Sequence, residues 1–259
     1  MRVNDRAGGV EPEPASRLLP GARVPSSYDP IAEVYDAWSR SVTEDVDFYV
    51  AEALAAGGPV VELGVGTGRI AVPTAQAGLP VIGVDSSAAM LEVARRYASD
   101  SGVSDLLDLR LGDYVQPPVV ERVRLVTCPF RAYLHLGSDE ERVEALRAAC
   151  GLLVPGGRLV FDVFAPSRRD IRETNGRWLE REHGIWERAD WRPRERRFDL
   201  SVRGELGETT MHLAWLPADD WRRLLEEAGF EQIDCYGWFD RSRYRGGEDS
   251  VFVAHRPAE

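Results

Sequence analysis

The chain has 259 residues, 32 basic side chains that are all arginine, and a net charge of −11 at pH 7. That acidic balance argues against a nucleic-acid partner, and the lack of lysine excludes Schiff-base and lysine-base chemistry. No run approaches the roughly 18–20 apolar residues of a membrane span, so no membrane partner is expected.

Residues 1–27 are rich in Pro, Gly and Ala and read as a flexible tail. They lack the apolar core of a signal peptide, so a cytoplasmic location is expected. A helix is predicted over 29–39, with Ile31, Val34, Tyr35 and Trp38 on one face, and a second over 44–56. Short apolar strands then alternate with helices. Strands are predicted over 60–63, 81–84, 107–111, 123–128 and 158–164, and helices over 69–77, 88–98 and 139–153. This alternation implies an α/β fold, a parallel sheet with helices on both faces. From 168 to 216 the pattern changes to alternating residues such as RFDLSVRGEL and TTMHLAWL, which predict antiparallel hairpins. A helix from about Pro217 or Asp219 to Ala228, stopped by Gly229, precedes closing strands over 231–239 and 250–255. The chain therefore divides into a tail (1–27), a helical cap (28–58), a core (59–166), an antiparallel insertion (167–216) and a closing segment (217–259). Cys128, Cys150 and Cys235 show no metal-ligand spacing and read as free thiols.

The stretch VVELGVGTGRI, residues 60–70, ends a strand on three glycines spaced by single residues. Glycine permits a tight turn and close approach of a ligand at the carboxyl end of a parallel strand. A dinucleotide fingerprint, G-x-G-x-x-G, would need glycine where Arg69 stands. Asp85, at the end of the second strand, can accept two hydrogen bonds from a ribose diol, or can serve as a plain helix cap.

Taken together, ELGVGTGR (62–69), VIGVDSS (81–87), GDY (112–114), VRLVTCPF (123–130) and LLVPGGRLVFDVF (152–164) resemble the successive motifs of class I S-adenosylmethionine-dependent methyltransferases. The resemblance implies a Rossmann-like fold with a mostly parallel seven-stranded sheet and an antiparallel substrate-covering insertion. It implies S-adenosylmethionine as cofactor. Glu62 matches the acid that orients the loop or the methionine ammonium, and Gly64, Gly66 and Gly68 match the loop beneath the methionine and ribose. Asp85 matches the ribose acid, with Ser86 following and Met90 flanking the adenine. Gly112, Asp113 and Tyr114 match the segment that reads the adenine amino group. Cys128 matches the strand-four end where cofactor and acceptor meet. YDPIAEVYD resembles the segment that folds over the cofactor in small-molecule methyltransferases, which places Tyr28 and Tyr35 at the methionine end.

CPFRAYLHL, residues 128–136, follows the fourth strand and faces the reactive end. Tyr133 and His135 are the catalytic candidates, and the stretch resembles the F-x-H-L segment of glycine and amino-sugar N-methyltransferases. Arg131 is a candidate to hold an acidic acceptor. Trp186, Arg188, Arg197, His212 and Trp215 are candidates to line the acceptor pocket, with core or solvated-face roles as the alternative for each. No metal site is expected. TCPF departs from the N/D-P-P-Y/F motif of nucleic-acid amine methyltransferases at its first residue and in having one proline. The expected activity is methyl transfer to an amine or hydroxyl of a small molecule, in a natural-product setting. The alternatives are a non-methylating use of the same cofactor, in cyclisation or aminopropyl transfer, and a non-catalytic cofactor-binding module. A monomer and a homodimer are both compatible with the sequence.

Overall fold

A computed structural model describes residues 26–39, 43–205 and 207–259. Most of the predicted tail lies outside the described residues. Five parallel strands carry the fold: β1 (Val60–Leu63), β2 (Val81–Asp85), β3 (Leu107–Leu111), β4 (Val123–Cys128) and β5 (Leu153–Phe164). Two later strands complete the sheet: β10 (Glu231–Tyr236) and β11 (Asp249–His255). The spatial order is β10-β11-β5-β4-β1-β2-β3, with β11 antiparallel to both of its neighbours. The chain moves outward in one direction through β1, β2 and β3, then in the other through β4 and β5. That switch puts a crevice above the carboxyl ends of β1 and β4, where open α/β sheets bind ligands.

Both faces of this sheet are covered. The helix α2 (Glu44–Ala56) packs Phe48, Tyr49 and Ala53 on Val60, Leu125, Val160, Val251 and Val253. On the other face, α5 (Asp139–Leu152) and α7 (Ala218–Glu227) bury Leu146, Trp221, Leu224 and Leu225 against Phe161 and Phe252. Ser138 and Glu141 form a reciprocal cap at the start of α5, which satisfies two of the helix's orphan amides. The helices α3 (Ala71–Gln76) and α4 (Ala88–Asp100) follow β1 and β2.

The helix predicted over 29–39 is instead a 3-10 turn, Asp29–Ile31, followed by one turn of helix, α1 (Tyr35–Trp38). Side-chain bonds account for the break. Asp29 accepts from the Ser87 hydroxyl (2.5 Å) and Asp36 accepts from the Thr67 hydroxyl (2.6 Å). These bonds draw the segment onto the glycine loop and the end of β2. The stretch predicted as hairpins also opens with a helix, α6 (Arg168–Thr174), capped reciprocally by Ser167 and Asp170. After α6 come four antiparallel strands in meander order: β6 (Trp178–Glu182), β7 (Ile185–Arg192), β8 (Arg197–Gly204) and β9 (Gly207–Ala214). The inner face of this second sheet, with Ile185, Ala189, Phe198, Val202, Met211 and Leu213, joins the main core.

Candidate active site

Two cavities meet over the crevice. The smaller, about 240 Å³, is lined by strand-end residues and by the N-terminal segment. Gly64 and Gly66 form its floor at φ +72° and +56°, a region that favours glycine. A Cβ on Gly64 would come within 3.1 Å of Ala132, which also lines the cavity. Asp85 Oδ2 accepts from the Gly66 amide (2.9 Å) and Oδ1 from the Ser87 amide (2.8 Å). Each carboxylate oxygen keeps acceptor capacity, which suits a ribose diol. Burial pushes the Asp85 carboxyl upward, against the lowering effect of those two amides. Asp113 Oδ1 holds the amides of Val115 and Gln116, while the residue itself faces the cavity.

Tyr28, Tyr35, Ser86, Met90, Gly112 and Tyr114 line this cavity together with Gly64, Gly66, Asp85 and Asp113. Gly68, Glu62 and Cys128 do not. At Gly68 a Cβ would press on Val72 and Ala94 (3.2 and 3.4 Å), so this glycine serves the packing between helices. Glu62 is 2% exposed within β1, and burial raises its carboxyl to about 8. The Cys128 thiol is fully buried at the end of β4. Phe130, two residues on, lines the cavity in its place.

Sequence reasoning missed the bonds that hold the N-terminal segment and α2 onto the glycine loop. Besides the Ser87–Asp29 and Thr67–Asp36 bonds, Arg69 makes a two-pronged pair with the buried Asp45 at 2.8 and 2.6 Å. The signal was present: the segment carries acids at 29, 36 and 45, and the loop and strand end carry Thr67, Arg69 and Ser87. What the sequence lacked was their pairing.

The larger cavity, about 530 Å³, lies between the first cavity and the inner face of the second sheet. Glu187, Ala189 and Trp191 of β7, Phe198 and Leu200 of β8, and Leu213 of β9 wall it, with Phe164 and Asp170 opposite. Arg131 also lines it, pairing with Asp249 (2.7 Å) over the Phe164 ring (4.5 Å). Trp186 and Arg188 alternate with the inward residues of β7, and Arg188 pairs with Asp190. Arg197 is exposed and donates to the Gly137 carbonyl, and His212 is exposed beside Asp199. Trp215 is buried behind the wall, edge-on to Trp191 at 5.6 Å. These five residues therefore stand outside both cavities.

Tyr28, Phe130 and His135 line both cavities. The Tyr28 hydroxyl lies 2.8 Å from His135 Nε2. Burial pushes the imidazole down to about 4 and the Tyr28 phenol up, so both are neutral at pH 7. The phenol donates to Nε2 when the imidazole carries its proton on Nδ1, and accepts from it in the other tautomer. Tyr133 is fully buried between the rings of Tyr114, Phe161 and Trp221 and lines neither cavity.

A family model described as a methyltransferase domain matches residues 60–157. The uncharacterized methyltransferase GWCH70_2477 of Geobacillus sp. (strain WCH70) is 32% identical over 179 residues, which cover 68% of this chain and 80% of that relative. The chain belongs to the S-adenosylmethionine-dependent methyltransferases. The methyltransferase is also 24% identical over 226 residues to a glycine/sarcosine N-methyltransferase of Halorhodospira halochloris, covering 83% of this chain and 81% of that one. It spans 60% of the length of another curated methyltransferase, from Geobacillus kaustophilus. Among solved structures, that of the CcbJ methyltransferase from Streptomyces caelestis superposes with a TM-score of 0.77 at 28% identity, covering 91% of this chain and 99% of that one. The bare floor at Gly64 and Gly66 and the spare acceptor capacity of Asp85 fit the cofactor of this family. No helix of the described methyltransferase is long and apolar enough to cross a membrane.

Proposed function

We propose that the enzyme methylates an amine, or in second place a hydroxyl, of a small molecule seated in the larger cavity. In this reading Asp85 holds the cofactor's ribose hydroxyls, Asp113 and Met90 flank its adenine, and Gly64 and Gly66 leave room for the chain between them. A cofactor held there would supply an electrophilic methyl group to the acceptor's lone pair, with the sulfur keeping the electron pair of the broken bond.

The observation that carries the reading is the Tyr28–His135 hydrogen bond at the junction of the two cavities. In this reading the neutral imidazole carries its proton on Nδ1, so that its Nε2 lone pair faces the Tyr28 hydroxyl and can take up a proton there. The Tyr28 oxygen accepts the acceptor's proton as the phenol passes its own to Nε2, which becomes an imidazolium. Burial makes that cation unfavourable, so the proton leaves readily afterwards. Tyr28, Phe130 and the strand walls exclude water from the junction and align the acceptor, which is the main contribution an enzyme makes to an in-line displacement. The preference for nitrogen is supported by the name of the Halorhodospira relative and by the resemblance of FRAYLHL to amino-sugar N-methyltransferases.

The test is a panel of amines, amino sugars and hydroxylated natural products incubated with S-adenosylmethionine and followed by mass spectrometry. The expected products are a methylated acceptor and S-adenosylhomocysteine. Methylthioadenosine in place of S-adenosylhomocysteine would overturn the reading in favour of aminopropyl transfer or cyclisation.

A further inference from the structure

The chain leaves β4 through two consecutive non-glycine residues in the left-handed region, Phe130 at φ 55° and Arg131 at φ 61°. Side chains rarely adopt that backbone, and such strain persists only where the surroundings over-determine it. Here a single buried carboxylate does so. Asp162, 6% exposed in β5, receives the Phe130 amide on Oδ1 (2.8 Å) and the Arg131 amide on Oδ2 (3.1 Å). Its Oδ1 also accepts the Tyr49 hydroxyl from α2 (2.7 Å).

The consequences reach the site directly. Phe130 lines both cavities, and its ring is held by the Arg69 guanidinium above it at 4.6 Å. Arg131 is the cap residue of the 3-10 turn Ala132–His135, so its backbone sets where His135 stands. Ala132 in turn stands where a Cβ on Gly64 would meet it at 3.1 Å.

We propose that Asp162 is a positioning residue of the active site: by holding both strained amides it places Phe130 and the His135 turn at the junction of the two cavities. The inference rests on the assignment of the smaller cavity to the cofactor. A merely structural role, fastening α2 through Tyr49, would need only the third hydrogen bond.

The experiment is a cycle read by calorimetry with S-adenosylhomocysteine. Asp162→Asn sets an amide donor against a backbone donor and is expected to weaken binding about tenfold, whereas Tyr49→Phe changes it less than about twofold. Glycine adopts the left-handed backbone without help, so in an Arg131→Gly background the same Asp162→Asn change is expected to cost only about threefold or less. An equal loss in both backgrounds, or a Tyr49→Phe loss as large as that of Asp162→Asn, overturns the proposal. Should Asp162→Asn alone fail to fold, recovery of a folded protein by adding Arg131→Gly supports it, and no recovery overturns it. Should the unmodified protein bind no S-adenosylhomocysteine, the cofactor assignment fails instead. Amide hydrogen exchange at Phe130 and Arg131 then still decides: exchange at least about tenfold faster in Asp162→Asn supports the clamp, and unchanged exchange overturns it.

Discussion

On the seven-stranded sheet, the groups that face the smaller cavity are main chain and short side chains at strand ends: Gly64 and Gly66 after β1, Asp85 ending β2, and Gly112 to Tyr114 after β3. On the four-stranded sheet, the groups that face the larger cavity are alternate residues within continuous strands, such as Glu187, Ala189 and Trp191. A strand end is fixed here by local chemistry: the glycine turn at Gly64 and Gly66, and the Asp85 carboxylate that holds the Gly66 and Ser87 amides. A strand face is fixed by register, and a slip of one residue exchanges every inward side chain for an outward one. The smaller cavity is thus rigidly specified by few residues, whereas the lining of the larger one changes through substitutions at alternate positions.

The largest expected effect tests the junction of the two regions. His135→Ala should lower turnover about a hundredfold, the scale of a general base, while S-adenosylhomocysteine affinity by calorimetry stays within about threefold. Equal losses in both would make His135 a structural element of the cofactor side. Tyr28→Phe, which keeps the ring but not the proton path, should fall between the two. Next, Asp85→Ala should weaken S-adenosylhomocysteine binding by about tenfold or more, the scale of hydrogen bonds to a charged group. A smaller contrast separates the faces of β7. With an acceptor found in the panel, Trp191→Ala should raise KM about tenfold and Trp186→Ala should leave it within about twofold. The reverse order would mean that the acceptor lies on the other face of the sheet.

That contrast also explains what could be read before the structure was in hand. Gly64, Gly66, Asp85, Asp113 and the short strands around them were legible because spacing and residue type are properties of contiguous segments. Trp186 and Trp191 share one strand and one residue type, and alternation alone could not say which faces inward. Trp215 has the aromatic character of a pocket wall but is buried behind one, since Trp191 and Phe198 stack in front at 4.3 Å. Tyr133 and His135 are two residues apart on one 3-10 turn. One is swallowed by the core and the other reaches the junction. The bonds of Asp36 and Asp45 to the glycine loop and of Asp29 to Ser87 after β2 join segments 24 to 58 residues apart, a distance that no local pattern records.

Glu62 offers the finest test of the cofactor side, through pH. Its carboxyl, ordinarily near 4.5, is pushed up to about 8 by burial, which Arg69 only partly offsets. Between those values the folded chain holds a proton that the unfolded chain has released. Stability from this group is therefore fully present at low pH and is lost as pH rises toward 8. His135 works in the opposite sense, because the unfolded imidazole takes a proton near 6.5 and the folded one only near 4. Its contribution is complete above the higher value and fades as pH falls. Asp162, raised to about 6, adds to the Glu62 trend only below that pH. The window from pH 6.5 to 8 thus isolates Glu62 from these two. Glu62→Gln keeps the shape and removes the titration, so its melting temperature should fall less over that window than that of the parent, by a few degrees at most. Identical slopes would mean that the Glu62 carboxylate is already ionised at neutral pH. Arg69 would then be shared between Glu62 and Asp45, and the negative charge would lie buried in β1 behind the glycine loop.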